Sequence, residues 1–210
     1  MKKIVLTAIL LATASITFAQ FNFGIRGGLN LSDYSNLDNS SKKTDYYVGA
    51  ILSIKFGDFY TLQPEFTYSK QGTKLNGTQP YLASNTIGVN YFSVDVANKL
   101  AIGNNVHFII GPYFDIVMDK DIKEIRNADD YYYYRYETTG VDLGFIFGLG
   151  FDVTNNLTIE ARYKQGFIGV IDYLENNNTD SSYYYDEDPH LNKVFQVGIT
   201  YKFELMKSKK

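Results

Sequence analysis

Residues Val141–Phe167, VDLGFIFGLGFDVTNNLTIEARYKQGF, decide the fold class of this chain. From Val141 to Phe151 the odd positions are Val, Leu or Phe, and the even positions are Asp, Gly or Ile. After a polar turn at Asp152–Asn156 the period of two resumes, with Thr, Glu, Arg, Lys and Gly on the even side. The pattern predicts a β-hairpin with one apolar face and one face of glycines and charges. Segments of about ten residues with this alternation are typical of strands that cross an outer membrane.

Eight segments along the chain share this character. They are residues 21–31, 46–56, 59–70, 86–100, 106–118, 139–151, 157–167 and 194–203. The connections at 57–58, 101–105 and 152–156 are short and rich in Gly, Asn and Asp, as tight turns are. The other four, near 32–45, 72–85, 119–138 and 168–193, are long and polar. The sequence therefore predicts an all-β, eight-stranded, antiparallel up-and-down transmembrane β-barrel with short periplasmic turns and long extracellular loops.

The first 19 residues have the features of a secretory signal peptide. Lys2 and Lys3 precede an apolar run from Ile4 to Ile16, and Thr17–Ala19 offers small residues at the cleavage positions. We predict a signal peptide over 1–19, with the outer-membrane barrel domain occupying 20–210. The apolar run is shorter than the roughly 20 residues that a membrane-spanning helix needs.

Charge and cysteine content exclude several classes of partner and cofactor. Without Lys2 and Lys3 the chain has 18 basic and 23 acidic residues, a net charge of −5. That balance offers no electrostatic basis for binding nucleic acid. Because there is no cysteine, neither disulfides nor thiolate metal sites contribute. No phosphate-binding loop or other cofactor motif is present, so we expect no cofactor.

The polar face predicts a charged barrel interior. On the strand parity opposite to the apolar face lie five acids and six bases: Arg26, Lys55, Glu65, Asp95, Lys99, Asp115, Asp142, Glu160, Arg162, Lys164 and Lys202. An eight-stranded barrel is just wide enough for its own side chains to fill. Buried charges must pair, since each isolated ion would cost several kcal/mol of desolvation. We predict a lumen ion network of six residues: Arg26, Glu65, Asp95, Glu160, Arg162 and Lys164.

Other positions carry more local expectations. Lys55, Lys99 and Lys202 lie near the short turns and should surround the periplasmic mouth. Pro64 and Pro112 each lack an N–H donor, so local bulges are expected at both. A soluble, lipocalin-like barrel would carry the same alternation inside out. The glycines on its solvent face, the aromatic load of the apolar face and the lack of a helix pattern argue against that alternative.

Short phrases of the sequence resemble the PorT-like outer-membrane β-barrel family. The resemblance is carried by FGIRGGLNLS at 23–32, LQPE at 62–65, YSKQG at 68–72, GPY at 111–113, DLG at 142–144, RY at 162–163 and QVGITYKF at 196–203. It implies an outer-membrane barrel over nearly all of the chain after the signal peptide. It implies little about function, because a part in protein secretion is attached only to the member that gave the family its name.

Catalytic and metal sites are weakly indicated. A serine–histidine site would have to use His107, expected inside near the periplasmic end, or His190, which follows Ser181 and Ser182 in an outer loop. Asp186-Glu187-Asp188 has clustered oxygens but lacks the spacing of a calcium loop, so no metal is expected.

Two runs of tyrosine stand out in the two longest outer loops. They are Tyr131, Tyr132, Tyr133 and Tyr134 in one loop and Tyr183, Tyr184 and Tyr185 in the other. Tyrosine combines contact area with a polar tip, which suits an interface with lipid head groups or a partner protein. An aromatic belt, or strands that extend above the membrane, would explain the same runs equally well.

We therefore expect a non-enzymatic, monomeric, integral outer-membrane barrel with a filled polar lumen and a structural or surface-interaction role. Outer-membrane lipid is its expected surrounding, and a protein or surface ligand could bind at the extracellular loops. Three alternatives remain open: a narrow solute porin, an accessory barrel of a protein secretion system, and a lipid-modifying enzyme.

Overall fold

The computed structural model describes residues 20–37, 39–76, 85–122, 125–126, 132–177, 183–185 and 189–203, and within 121–137 and 171–188 it describes only the backbone of the strands. The signal peptide predicted at 1–19 lies outside these ranges. The strands are β1 Gln20–Tyr34, β2 Ser40–Phe56, β3 Tyr60–Leu75, β4 Asn85–Ile102, β5 Val106–Ile122, β6 Ile125–Arg126, β7 Tyr132–Thr138, β8 Val141–Asp152, β9 Leu157–Asn177, β10 Tyr183–Tyr185 and β11 His190–Lys202.

Eight of these strands form a closed antiparallel barrel. Each neighbour in the order β1-β2-β3-β4-β5-β8-β9-β11 pairs antiparallel with the next, and β11 pairs back onto β1 from Gly24↔Lys202 to Tyr34↔Asn192. The fold class predicted from the sequence is confirmed. Closure leaves no free sheet edge around the barrel wall. No helix among the described residues is long and apolar enough to cross a membrane.

The two ends of the barrel differ in their connections. Residues 57–59, 103–105 and 153–156 join β2 to β3, β4 to β5 and β8 to β9 at what we call the short-turn end. At the opposite end, β6 and β7 pair with each other, and both β7 and β10 pair with the last residues of β9. These pairings extend the barrel wall as a small sheet, called here the rim sheet, which consists of β6, β7, β10 and residues 171–177 of β9.

The strands reach further than the sequence pattern predicted. The long loop expected at 32–45 is mostly strand, because β1 and β2 remain paired through Ser32↔Lys43 and are joined by residues 35–39. The ladder continues because its hydrogen bonds join backbone groups and do not require apolar side chains. The boundary that we predicted was therefore the end of the apolar pattern, not the end of the strand.

The apolar face points away from the barrel axis. Phe145, Phe147 and Tyr163 are 39%, 47% and 38% exposed, whereas Glu160 and Arg162 are 2% and 1% exposed. The orientation predicted from the hairpin is thereby confirmed. It holds in β4 as well, where Asp95 and Lys99 are buried inside although the apolar pattern of that strand is irregular.

The proline prediction was wrong. The register of β3 against β4 is continuous through Pro64↔Val96, and that of β5 against β8 is continuous through Pro112↔Phe145. A proline removes one ladder donor, but no extra residue is inserted to make a bulge. Register shifts occur instead between Lys42 and Tyr47, between Asn90 and Tyr91, and between His190 and Lys193.

Candidate functional site

The centre of the lumen is organised around Arg162 on β9. Its Nη1 and Nη2 donate to the two carboxylate oxygens of Glu65, each at 2.8 Å, and Nη2 also donates to Glu160 Oε2 at 2.7 Å. The paired, parallel contact with Glu65 is the geometry in which guanidinium and carboxylate bind most strongly. Gly148, opposite Arg162 on β8, gives the long side chain room, because a Cβ there would lie 2.9 Å from Arg162 Cγ.

Two further cations join the same carboxylates. Arg26 donates to Glu65, and its guanidinium nitrogens lie 3.6 Å from Asp95 Oδ2 and 4.0 Å from Glu160 Oε2. The Arg26 guanidinium also lies over the Tyr47 ring, 4.7 Å from its centroid. Lys99 Nζ donates to Glu160 Oε1 at 2.5 Å. Each carboxylate in this layer therefore contacts more than one cation.

A second layer is organised around Lys164. Its Nζ lies 3.0 Å from both carboxylate oxygens of Asp115 and 3.4 Å from Asp95 Oδ1. The ammonium also sits over the Tyr113 ring, 4.1 Å from its centroid, in a cation–π contact. Asp95 connects this layer to the first, since it approaches both Lys164 and Arg26.

The charges in the two layers balance and are shielded from water. The bases are Arg26, Lys99, Arg162 and Lys164, and the acids are Glu65, Asp95, Asp115 and Glu160. All eight residues are no more than 7% exposed. The structure brings together the six residues predicted as a lumen network and adds Lys99, expected at the mouth, and Asp115. The inward parity of Lys99 and Asp115 was readable in the sequence, but their partners on distant strands were not.

Above the ion network lies a layer of mostly neutral polar groups. Tyr113 Oη donates to Asp142 Oδ2 at 2.9 Å, and Asn192 Nδ2 donates to the same oxygen at 3.1 Å. Gln71 Nε2 donates to Asp115 Oδ2 at 3.2 Å, which joins this layer to the ions below. The lumen is thus filled by connected side chains across several levels.

The interior at the end opposite the short turns contains an apolar cluster, which sequence reasoning missed. Tyr34, Ile87, Val89, Tyr91 and Val170 form a buried cluster, and Leu37, Leu75 and Val117 pack against it. The signal was present in β4, whose residues 87, 89 and 91 are apolar on the inward parity. The filled polar lumen predicted from the sequence therefore also contains an apolar cluster at this end, beside buried polar residues such as Thr73 and Asn192.

The short-turn end contains an open cavity of about 670 Å³, called here the vestibule. Gln63 and Lys99 line its inner end, next to the ion network, and Lys55, His107 and Lys202 line its sides. Lys55 and Lys202 thus lie at this mouth, as the sequence predicted, whereas Lys99 is buried at the inner end of the cavity, where it belongs to the ion network. Lys55 Nζ donates to Asp58 Oδ1 at 3.0 Å in the nearby turn.

The two histidines lie at opposite ends of the barrel. His107 is buried in the vestibule wall, with Nδ1 3.6 Å from Asp152 Oδ2. His190 is buried at the start of β11, with Nδ1 3.2 Å from the carbonyl oxygen of Ser35. Ser181, Ser182 and the acidic run 186–188 lie outside the described residues.

The tyrosine runs lie on two strands of the rim sheet. Tyr132–Tyr134 belong to β7 and Tyr183–Tyr185 form β10, whereas Tyr131 lies outside the described residues. Both strands pair with the same stretch of β9, since Tyr133 and Tyr183 are each opposite Asn176. The structure therefore brings the two runs to either side of one strand, although about 50 residues separate them in sequence.

Residues directly opposite each other in a sheet share a face. Tyr134 and Tyr184 are both opposite Glu175, and Tyr136 is opposite Tyr173. In this register the positions of one parity include five tyrosines, called here the five-tyrosine face: Tyr132, Tyr134, Tyr136, Tyr173 and Tyr184. Tyr133, Tyr183 and Tyr185 occupy positions of the opposite parity.

Several solved structures of outer-membrane proteins resemble the chain. Neisserial surface protein A has 12% identity and a TM-score of 0.47, covering 88% of this chain and 99% of that one. OprG from Pseudomonas aeruginosa has 12% identity and a TM-score of 0.47, covering 87% and 95%. Ail of Yersinia pestis has 12% identity and a TM-score of 0.45, covering 88% and 99%. At these values the likenesses carry no argument about function, and a comparison with curated proteins found no match.

The family comparison is decisive for fold and location. A model described as "Outer membrane protein beta-barrel domain" matches residues 18–172, well over half of the chain. Its match agrees with the closed barrel, the outward apolar face and the ion-filled interior described above. By the rule for such barrels, the short-turn end faces the periplasm. This chain belongs to the outer membrane protein β-barrel domain family and is an integral protein of the outer membrane.

Proposed function

We propose that this protein is a non-enzymatic, monomeric barrel whose lumen is sealed at mid-height, and that it acts in the outer membrane as a structural or surface-interaction protein. The single observation that carries the proposal is the burial of the ion network. Arg162, Glu65 and Lys164 are each no more than 1% exposed. Arg162 and Glu65 contact each other across the barrel, and Lys164 contacts Asp95 and Asp115. A continuous water path would have to break these contacts.

The narrow-porin alternative makes the opposite prediction about conduction. We expect the purified protein in planar lipid bilayers to give no steady channels, because moving ions would have to displace buried, paired charges. The matched control is the double variant Glu65→Ser with Arg162→Ser. It removes one acidic and one basic side chain from the centre of the lumen and leaves space there. Stepwise conductance in that variant alone, under the same voltage, would identify the ion network as the seal. Steady channels in the unmodified protein would contradict the sealed lumen.

The geometry of the histidines supports a non-enzymatic role. His107 faces Asp152 at the periplasmic end, far from outer-leaflet lipid, and Nδ1 of His190 lies beside a backbone carbonyl oxygen. A role in protein secretion, which the PorT-like resemblance suggests, is tested separately. Normal protein export in a deletion strain would exclude that role.

The rim sheet is the best candidate for the surface-interaction role. The rim sheet lies beyond the residues that pair β8 with β9. Its five-tyrosine face can therefore contact the outer-leaflet head groups or another surface ligand. Tyrosine side chains supply large contact area with a polar tip, which suits the head groups of outer-leaflet lipopolysaccharide. We propose these head groups as the ligand of that face.

Two matched triple variants test the tyrosine face. Tyr132→Ser, Tyr134→Ser and Tyr184→Ser remove three tyrosines from the five-tyrosine face, and Tyr133→Ser, Tyr183→Ser and Tyr185→Ser remove three from the other. Native mass spectrometry measures the lipopolysaccharide that stays bound to each barrel after a detergent wash. We expect the first triple to lose most of the bound lipopolysaccharide and the second to retain it. Equal retention by both would contradict this role.

A further inference from the structure

The vestibule is a dead-end cavity that opens to the periplasm. At its inner end, Gln63 Nε2 donates to Glu65 Oε1 at 2.7 Å and Lys99 Nζ donates to Glu160 Oε1 at 2.5 Å, so the ion network closes the cavity there. A molecule that enters must leave by the same mouth. The volume of about 670 Å³ lies within the range of roughly 300–1,000 Å³ typical of small-molecule sites.

The lining mixes hydrogen-bond donors and acceptors without a dominant charge. Lys55 is paired with Asp58, and His107 lies 3.6 Å from Asp152. Asn22 and several turn asparagines add neutral amides, each of which both donates and accepts. A strongly anionic or cationic ligand would find little net charge here, because most ions already have partners. A ligand with many hydroxyls, each donating and accepting, matches this lining.

An exposed aromatic ring stands at the mouth. Phe59, in the turn between β2 and β3, is 64% exposed and lines the vestibule. The turn is held by the hydrogen bond from the Ala101 backbone N–H to the Phe59 carbonyl oxygen, at 2.8 Å. An aromatic side chain that faces the solvent-filled vestibule, beside polar groups, offers a flat apolar surface. Sugar rings present C–H groups on their faces and hydroxyls at their edges, so they match a ring next to amides and carboxylates.

We infer that the vestibule binds a saccharide from the periplasm, with the Phe59 ring against the sugar face and the polar wall around its hydroxyls. The inference does not involve the rim sheet, and it rests on the proposed sealed lumen only in that the vestibule is closed at its inner end. Bilayer conductance tests that closure, and saccharide binding is measured separately. Two sources carry this chemistry: a free oligosaccharide, or the end of a cell-wall glycan strand. Of a glycan strand, only the end can enter, because the vestibule is closed at its inner end.

Saturation-transfer NMR on the full barrel in phospholipid nanodiscs tests the site, with N,N′-diacetylchitobiose as the free probe. Irradiation of the aromatic protons should transfer magnetisation to the sugar ring protons, and a titration gives the Kd. We expect Phe59→Ala to weaken binding about tenfold, the scale of one lost aromatic contact. The matched control is Phe21→Ala, at the same end of the barrel but on its outer face, which should leave the Kd unchanged.

A second variant keeps the test independent of Phe59. Ala101→Trp fills the vestibule without removing a hydrogen-bonding side chain and should abolish the transfer, whereas Ala161→Trp on the outer face should not. Purified glycan strands form the second arm. Binding of the disaccharide and the strands identifies the cell-wall glycan as a source, and binding of the disaccharide alone identifies free saccharides. No transfer to either probe, or equal transfer with Phe59→Ala and Phe21→Ala, would overturn the inference.

Discussion

Replacing Arg162 by Met is expected to lower the free energy of unfolding by about 3–5 kcal/mol, the usual cost of leaving a buried charge without its partner. Arg162 holds both oxygens of Glu65 at 2.8 Å and also contacts Glu160, and all three side chains are buried. The methionine leaves the carboxylates with Arg26 and Lys99 as their remaining cations. Urea unfolding in phospholipid vesicles, followed by heat-dependent gel mobility, measures the loss.

The double variant Arg162→Met with Glu65→Met is the control for this prediction. Removing one charge of each sign keeps the network balanced, so it should cost less than Arg162→Met alone, because Glu65 is absent and Glu160 keeps Lys99 and Arg26 as partners. A double variant as unstable as the sum of two single variants would show that the residues act independently. That result would contradict the network as the element that seals the lumen.

A charge on the outer face should cost nearly as much. We expect Ala161→Arg to lower the free energy of unfolding by about 2–4 kcal/mol, the cost of an arginine near the bilayer midplane. Ala161 lies midway along the outward residues of β9, between Leu157 and Phe167, and Leu149 and Val197 lie opposite it on the neighbouring strands. The guanidinium would have to reach across these apolar side chains to water.

The same substitution at Ala101 provides the comparison. Ala101 lines the vestibule, where an arginine side chain meets water, so Ala101→Arg should change the stability by no more than about 0.5 kcal/mol. Both variants are unfolded by urea in the same vesicles. If Ala161→Arg is no more destabilising than Ala101→Arg, the outer face does not lie in hydrocarbon.

Much of this architecture was readable from the sequence because β-structure has a period of two. The alternation in Val141–Phe167 predicted both strands of the hairpin and their faces, and the inward parity of Arg26, Glu65 and Lys164 followed from the same rule. Burial of unpaired charge is so costly that charged residues on the enclosed face had to meet one another. The composition of the network was therefore largely predictable.

The strand ends and the apolar cluster at the end opposite the short turns were harder to predict from the sequence. The polar sequence of residues 32–45 predicted a loop, but the backbone ladder continues into this segment. Ladder hydrogen bonds join backbone groups and do not require particular side chains. The cluster of Tyr34, Tyr91 and Val170 comes from three strands far apart in sequence. Its existence depends on how the barrel closes at that level.

The sequence by itself determined the fold class, the outward direction of the apolar face and the identity of the buried charges, because these follow from residue alternation along single strands. Only the tertiary structure decided which charges meet, that Lys99 joins the network, and that the tyrosines of β7 and β10 share β9. Register and closure set those neighbours, and they bring together residues whose separation in the chain carries no signal of contact.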